Sequence, residues 1–232
     1  MLPKLATNTV DVALLTIYDD ALAVLLHRRP IPPDQGAWSL PGVIVQADET
    51  LEQAAARALR DKTGLDGVYL EQLYTFGDPD RHPRGRVITT TYYALIPAER
   101  LTSALAALPP DDLTIAPVAD LPPLAFDHAR IVNTAAERLR GKVGYTPVGY
   151  ELLPATFTLR ELRSVHEAIV AHPLNKDSFR RRLLEHAEVE PTGEWEAGTA
   201  YRPAQLYRRA DTGSSIGRVP GETAADAAAT PR

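Results

Sequence analysis

The 232-residue chain contains no cysteine. That excludes disulfides, thiolate nucleophiles and cysteine zinc sites, and it fits a reducing compartment. No apolar run is long enough to cross a bilayer, and the opening Met1-Leu2-Pro3-Lys4 lacks the apolar region of a signal peptide. The expectation is a soluble, cytoplasmic protein with no membrane partner. A global basic excess is also missing, since 25 Lys and Arg stand against 30 Asp and Glu, a formal charge of -5. Nucleic acid can therefore be met only by a local basic patch. What is present is an ordinary globular balance, 44% hydrophobic and 24% charged, in a chain long enough for one large domain or two small ones. The 20 prolines point to ordered loops and at least one junction.

The stretch 38–65 organises the rest. Ser39-Leu40-Pro41-Gly42 leads into the apolar Val43, Ile44 and Val45, and Asp48, Glu49 and Thr50 open a helix. Leu51, Ala54, Ala55, Ala58 and Leu59 recur at helical spacing as its buried face, and Gly64 is placed to stop it. Before this unit, residues 1–8 read as a frayed lead-in, and 9–18 and 21–27 as a hairpin across Asp19-Asp20. After it, 68–76 and 86–96 read as strands around the arginine-rich loop 80–85. A short helix is expected at 99–108 and a short strand at 115–118. Asp127 is placed to cap a helix reaching about residue 140, with Ile131, Val132, Ala135 and Leu139 as its inner stripe.

Residues 141–154 change character, with glycine, proline and tyrosine and little periodicity. A capping box follows, Thr158 with Glu161, opening a helix whose inner face is Leu159, Leu162, Val165 and Ile169. Asn175 caps a second helix, 176–186, with Phe179 and Leu183 inward. Helix, short turn, helix and then two short strands around a loop is the outline of a winged helix. Lys176, Arg180, Arg181 and Arg182 crowd the first turns of the second helix, the part of a recognition helix that meets the major groove. By spacing, Asn175, Lys176, Ser178, Arg181 and Arg182 are expected to point away from Phe179 and Leu183. With Thr158 and Arg180 they make the candidate DNA-binding set.

The 38–65 unit resembles the Nudix box. Glu49, Arg57, Leu59, Gly64 and Leu65 fall on its template, while Val43 stands where the template starts with Gly. Ala58, Asp61 and Lys62 replace its three helical carboxylates. In Nudix hydrolases such carboxylates hold Mg²⁺ against a diphosphate. A methyl group, one short carboxylate and an ammonium are a poor substitute, so no catalytic and no metal-binding residue is assigned. Pro83, Arg84, Gly85, Arg86 and Val87 are similar to a DPRGRV-like segment of Nudix proteins that act on ADP-ribose, with His82 in the place of the usual Asp. Arginine suits a diphosphate because its planar fork donates two hydrogen bonds.

Taken in order, the degenerate box, the DPRGRV-like loop, the Phe126-Asp127-His128-Ala129 segment and the C-terminal pattern resemble the Nudix-related transcriptional regulators of NAD metabolism, the NrtR family. The resemblance covers roughly 11–209. It implies an α+β chain: an N-terminal Nudix α/β/α sandwich with a mixed sheet (1–148), a linker (149–155), a small winged helix-turn-helix domain (156–210) and a disordered tail (211–232). It implies a homodimeric repressor of NAD biosynthesis or salvage genes that binds a palindromic double-stranded operator. It further implies ADP-ribose or a related NAD-derived nucleotide as effector, with no cofactor required. The candidate effector-binding residues are Arg29, Trp38, Gly42, Arg84, Arg86, Phe126 and His128. Two other readings stay open: a Nudix ADP-ribose or nucleoside-diphosphate pyrophosphatase with Glu49 and Asp61 as a reduced metal site, and an adaptor whose winged helix docks to protein.

Overall fold

A computed structural model describes residues 5–109, 112–197 and 203–210. The elements run β1 (Thr7–Tyr18), β2 (Ala21–Arg28), β3 (Trp38–Ser39), β4 (Gly42–Ile44), α1 (Leu51–Thr63), β5 (Tyr69–Phe76), β6 (Val87–Leu95), α2 (Ala98–Leu105), β7 (Leu113–Pro117) and α3 (His128–Val143). A 3-10 turn (Pro147–Leu152) leads to β8 (Phe157–Thr158), α4 (Leu159–Val170), α5 (Lys176–Glu185), β9 (Val189–Trp195) and β10 (Gln205–Arg209). The tail expected at 211–232 and the first four residues of the lead-in lie outside the described residues.

β1 is the axis of a mixed sheet. Its start pairs antiparallel with β4 and its end with β2, while Thr7 to Leu15 run parallel to Val87 to Leu95 of β6. β2 carries β3 and β7 on its far side, and β5 closes the other edge against β6. Because strand side chains alternate, β1 feeds two cores. Val10, Val12 and Leu14 lie under Ala54, Ala55, Ala58 and Leu59 of α1. Ala13 and Leu15 lie under Ile131, Val132, Ala135 and Leu139 of α3. The result is the expected α/β/α sandwich.

Local sequence explains the edges of these elements. Thr50 accepts from the Gln53 backbone N–H and Gln53 answers on the Thr50 N–H, a closed capping box at the start of α1. Gly64 ends α1 at φ 70, where a side chain is strained, and its N–H returns to the Arg60 carbonyl at 2.8 Å. Asp19 and Asp20 both take positive φ, which suits a tight hairpin. Three expectations shift. β1 starts at Thr7 rather than 9, because Thr7 and Asn8 find ladder partners in Val87 and Ile88. The helix expected at 99–108 closes by Leu105. Asp127 precedes α3 without capping it, because Arg81 occupies its carboxylate.

The core on the α3 side continues without a break into Phe157, Leu162, Val165, Ile169, Phe179 and Leu183. α4 packs on α3, and Arg140 Nε donates to the Ile169 carbonyl at the end of α4, 3.0 Å away. The segment 149–155, expected as a linker, is packed: Tyr150, Leu152 and Leu153 are buried, and the Tyr150 ring lies 5.7 Å from Phe157. β8, β10 and β9 form a small antiparallel sheet beside α4 and α5. β8 was not foreseen, since two residues give no alternation to read.

Candidate functional site

A cavity of about 720 Å³ opens where the start of β1 meets β4, the loop after β2, the loop 81–86 and the N-terminus of α3. Its wall includes Asp11, Arg29, Lys62, Arg81, Phe126 and His128. Gly42 lets the two strands close up here. A Cβ at that position would sit 2.1 Å from Asp11 Oδ1 and 3.0 Å from the Val10 carbonyl.

Asp11 projects from β1 on the face of Ala13 and Leu15, at the end of the α3-side core. There it meets two buried partners, Arg81 at 3.7 Å and His128 Nε2 at 3.9 Å. Arg81 is itself held by Asp127 through two bonds of 2.7 and 3.1 Å. His128 Nδ1 accepts the Leu40 backbone N–H at 2.9 Å, so in the neutral ring the proton sits on Nε2, toward Asp11. Burial holds His128 below the usual imidazole range.

Phe126 takes φ 54, an uncommon conformation for an aromatic residue, and presents its ring to the cavity. The Arg29 guanidinium lies 4.6 Å over that ring, and His82 and His128 flank it at 4.9 and 5.4 Å. Arg29 is steadied by a 2.8 Å bond from Nε to the Pro33 carbonyl. His82 is pushed below its ordinary value, first by burial and then by Arg29, Arg81 and Arg84. The site thus combines a planar stacking surface with a concentration of positive charge. That chemistry suits an anionic ligand with an aromatic ring, such as a nucleoside diphosphate.

Of the seven residues assigned to this site from sequence, Arg29, Gly42, Arg84, Arg86, Phe126 and His128 line the cavity. Trp38 does not. Its ring is covered by the Arg28 guanidinium at 4.4 Å, and only its carbonyl acts nearby, accepting from Ala125 N–H. Arg86 also donates to the Gly77 carbonyl, which tethers its loop. Asp11 and Arg81 were missed. An acid inside the apolar run Val10 to Leu15 was a readable signal. The pairing of Arg81 with a residue 46 positions away was not.

The helix that should hold Mg²⁺ in a Nudix hydrolase does not fit the ion. Ala58 is fully buried in the core. Glu49 receives Arg57 at 2.6 and 3.0 Å and the Gln46 N–H at 2.8 Å, so both of its oxygens are engaged. Those bonds hold its carboxyl below the usual range. Asp61 lies 3.8 Å from the same Arg57, and Lys62 adds a positive charge. Among the described residues, no group of three or more His, Asp or Glu side chains is close enough together to hold a metal. No described helix is long and apolar enough to cross a membrane.

The second surface is α5. Asn175 caps it, accepting the Ser178 N–H at 2.9 Å, and Phe179 and Leu183 anchor it in the core. Asn175, Lys176, Ser178, Arg180 and Arg181 are exposed at its cap and along its first turns. Two assigned residues are elsewhere. Thr158 is 2% exposed, and its hydroxyl serves the cap of α4 with Glu161. Arg182 lies one turn beyond Phe179, on the flank of the inner stripe, and its guanidinium turns back over the Phe179 ring at 5.2 Å. The wing strand β9 carries exposed Glu190 and Glu194.

This architecture is that of a Nudix domain joined to a DNA-binding winged helix: residues 7–135 match the NUDIX domain, and 149–209 match the NrtR DNA-binding winged helix domain. The chain belongs to the NrtR family. It is 38% identical over 202 residues to the ADPR responsive transcriptional repressor NtrR of Acinetobacter baylyi, covering 86% of this chain and 80% of that protein. The crystal structure of Shewanella oneidensis NrtR complexed with a 27mer DNA matches with a TM-score of 0.80 at 38% identity, covering 87% of this chain and 93% of that one. The Nudix domain of Shewanella oneidensis NrtR complexed with ADP ribose matches with a TM-score of 0.52 at 39% identity, covering 59% and 90%.

Proposed function

We propose that this chain is a repressor of NAD-metabolic genes that reads operator DNA with α5 and senses ADP-ribose, or a related NAD-derived nucleotide, in the cavity beside α3. The observation that carries this reading is α3 itself. Its first residue, His128, lines the cavity, and Asp127 just before it holds Arg81. Some three turns later Arg140 grips the end of α4. A 16-residue helix spans roughly 24 Å, so one stiff element touches both the ligand site and the DNA-reading unit.

On this reading, 1–148 is the effector domain, 156–210 is the winged helix, and the packed segment 149–155 transmits rather than slackens. Arg29, Gly42, Arg84, Arg86, Phe126 and His128 form the effector site, joined by Arg81 and Asp11. Asn175, Lys176, Ser178, Arg180 and Arg181 form the DNA-binding set. The acting species is a homodimer on a palindromic site in the cytoplasm, its half-sites about 34–36 Å apart or a multiple of that. Ligand lowers DNA affinity, and linkage requires DNA to lower ligand affinity by the same factor, typically about 5- to 150-fold.

The domain is not a hydrolase by this reading and requires no cofactor. Formation of AMP and ribose 5-phosphate from ADP-ribose with Mg²⁺ or Mn²⁺ tests that; turnover abolished by Glu49→Gln would restore the pyrophosphatase. DNA selection with the purified chain, with and without ADP-ribose, tests the whole. The expected result is a palindrome enriched without ligand and lost with it. A selection that enriches no sequence in either condition defeats the proposal.

A further inference from the structure

Lys62 sits in the last turn of α1, half-buried, and lines the cavity. Its ammonium makes no hydrogen bond or ion pair with another described residue. Three other cations of the wall are engaged by protein: Arg81 by Asp127, Arg29 by Phe126 and the Pro33 carbonyl, Arg86 by the Gly77 carbonyl. Arg84 is exposed at the mouth, likewise with no bond from its guanidinium. Asp11 is the carboxylate that lines the cavity, and it already faces Arg81 and His128. An ammonium drawn partly out of water gains most when an anion meets it. Here the anion must come with the ligand.

We propose that Lys62 binds the diphosphate of the ligand directly, so that effector binding needs no divalent ion. This rests on the effector site argued above. The helix that cannot hold a metal then offers a fixed positive charge in its place, and Lys62 with Arg84 matches the charge of a divalent cation. A hydrolase helix becomes a binding helix by this exchange. The diphosphate is neutralised, while nothing polarises it or activates water against it.

Calorimetric titration of the full chain with ADP-ribose, in EDTA and in Mg²⁺, tests the inference. The parent chain binds equally in both. Lys62→Gln binds about 10-fold more weakly in both, the loss expected for one charged hydrogen bond. Lys62→Arg stays near the parent. Lys62→Glu is weaker than Lys62→Gln in EDTA and recovers part of the deficit with Mg²⁺. A parent chain that binds only with Mg²⁺ overturns the inference. So does Lys62→Gln binding as tightly as the parent, or Lys62→Arg binding as weakly as Lys62→Gln; either leaves the effector reading intact. Failure of the parent to bind ADP-ribose in either buffer overturns both.

Discussion

Arg81 in the cavity and Arg180 on α5 carry the same guanidinium under opposite conditions. The Arg81 side chain is 4% exposed and forked onto Asp127, with Asp11 beyond it. Arg180 is exposed, with no hydrogen bond or ion pair to another described residue. A buried, paired arginine has lost its rotamer freedom on folding, so it can hold a small ligand in one pose. A free one keeps that freedom until a phosphate arrives and can follow the backbone of a duplex. The two ends of the molecule therefore divide recognition between a rigid mould and an adaptable fringe.

The sharpest way to break this contrast is to remove each arginine. Arg81→Ala strands Asp127 and Asp11 in the interior and is expected to cost about 3–5 kcal/mol in urea unfolding. Arg180→Ala should stay within about 0.5 kcal/mol in the same assay. Equal losses would dissolve the distinction. Acid probes the inner side of α4 next. His166 is buried against Phe179, and burial, then Arg182, depresses it to about 4 from an ordinary 6.5. Between those values the unfolded chain binds the proton and the folded chain does not. Stability is thus fully present above 6.5 and falls as the pH drops toward 4, by roughly 3 kcal/mol in total. His166→Leu should flatten that part of the pH profile.

Two smaller effects separate the sites themselves. Phe126→Ala removes the stacking surface and should weaken ADP-ribose binding about 10-fold by calorimetry. Lys176→Ala and Arg180→Ala should each weaken DNA binding modestly and reduce the slope of log K against log salt by about 0.9, if each meets one phosphate. An unchanged slope would move the DNA contact off this face of α5.

The sequence made the α1 unit legible because its signals are local: the polar opening Asp48-Glu49-Thr50, an apolar stripe and a terminal glycine lie within one short stretch. The same holds for α4, α5 and the Asn175 cap. The Arg84–Arg86 loop and Phe126 were reached through resemblance, and the cavity gathers them. What stayed hidden depends on contacts distant in the chain. Asp127 looked like a cap until Arg81 took its carboxylate. Trp38 counted among the effector-site candidates, but its ring is covered by Arg28 and does not line the cavity. Arg182 was misplaced for a simpler reason: three residues past Phe179 is the same side of a helix, and that spacing was available to read. The burial of Tyr150, Leu152 and Leu153 in the segment 149–155, expected as a linker, was hidden because these residues obey no single period.

β1 places Asp11 in the same alternation as the two sets of residues that close the sandwich. A one-residue insertion just before it would exchange the side chains facing α1 with those facing α3 and swing the acid away from its partners. Mutation can therefore retune the ligand site through its loops with little risk to the fold, whereas altering its floor endangers the entire domain.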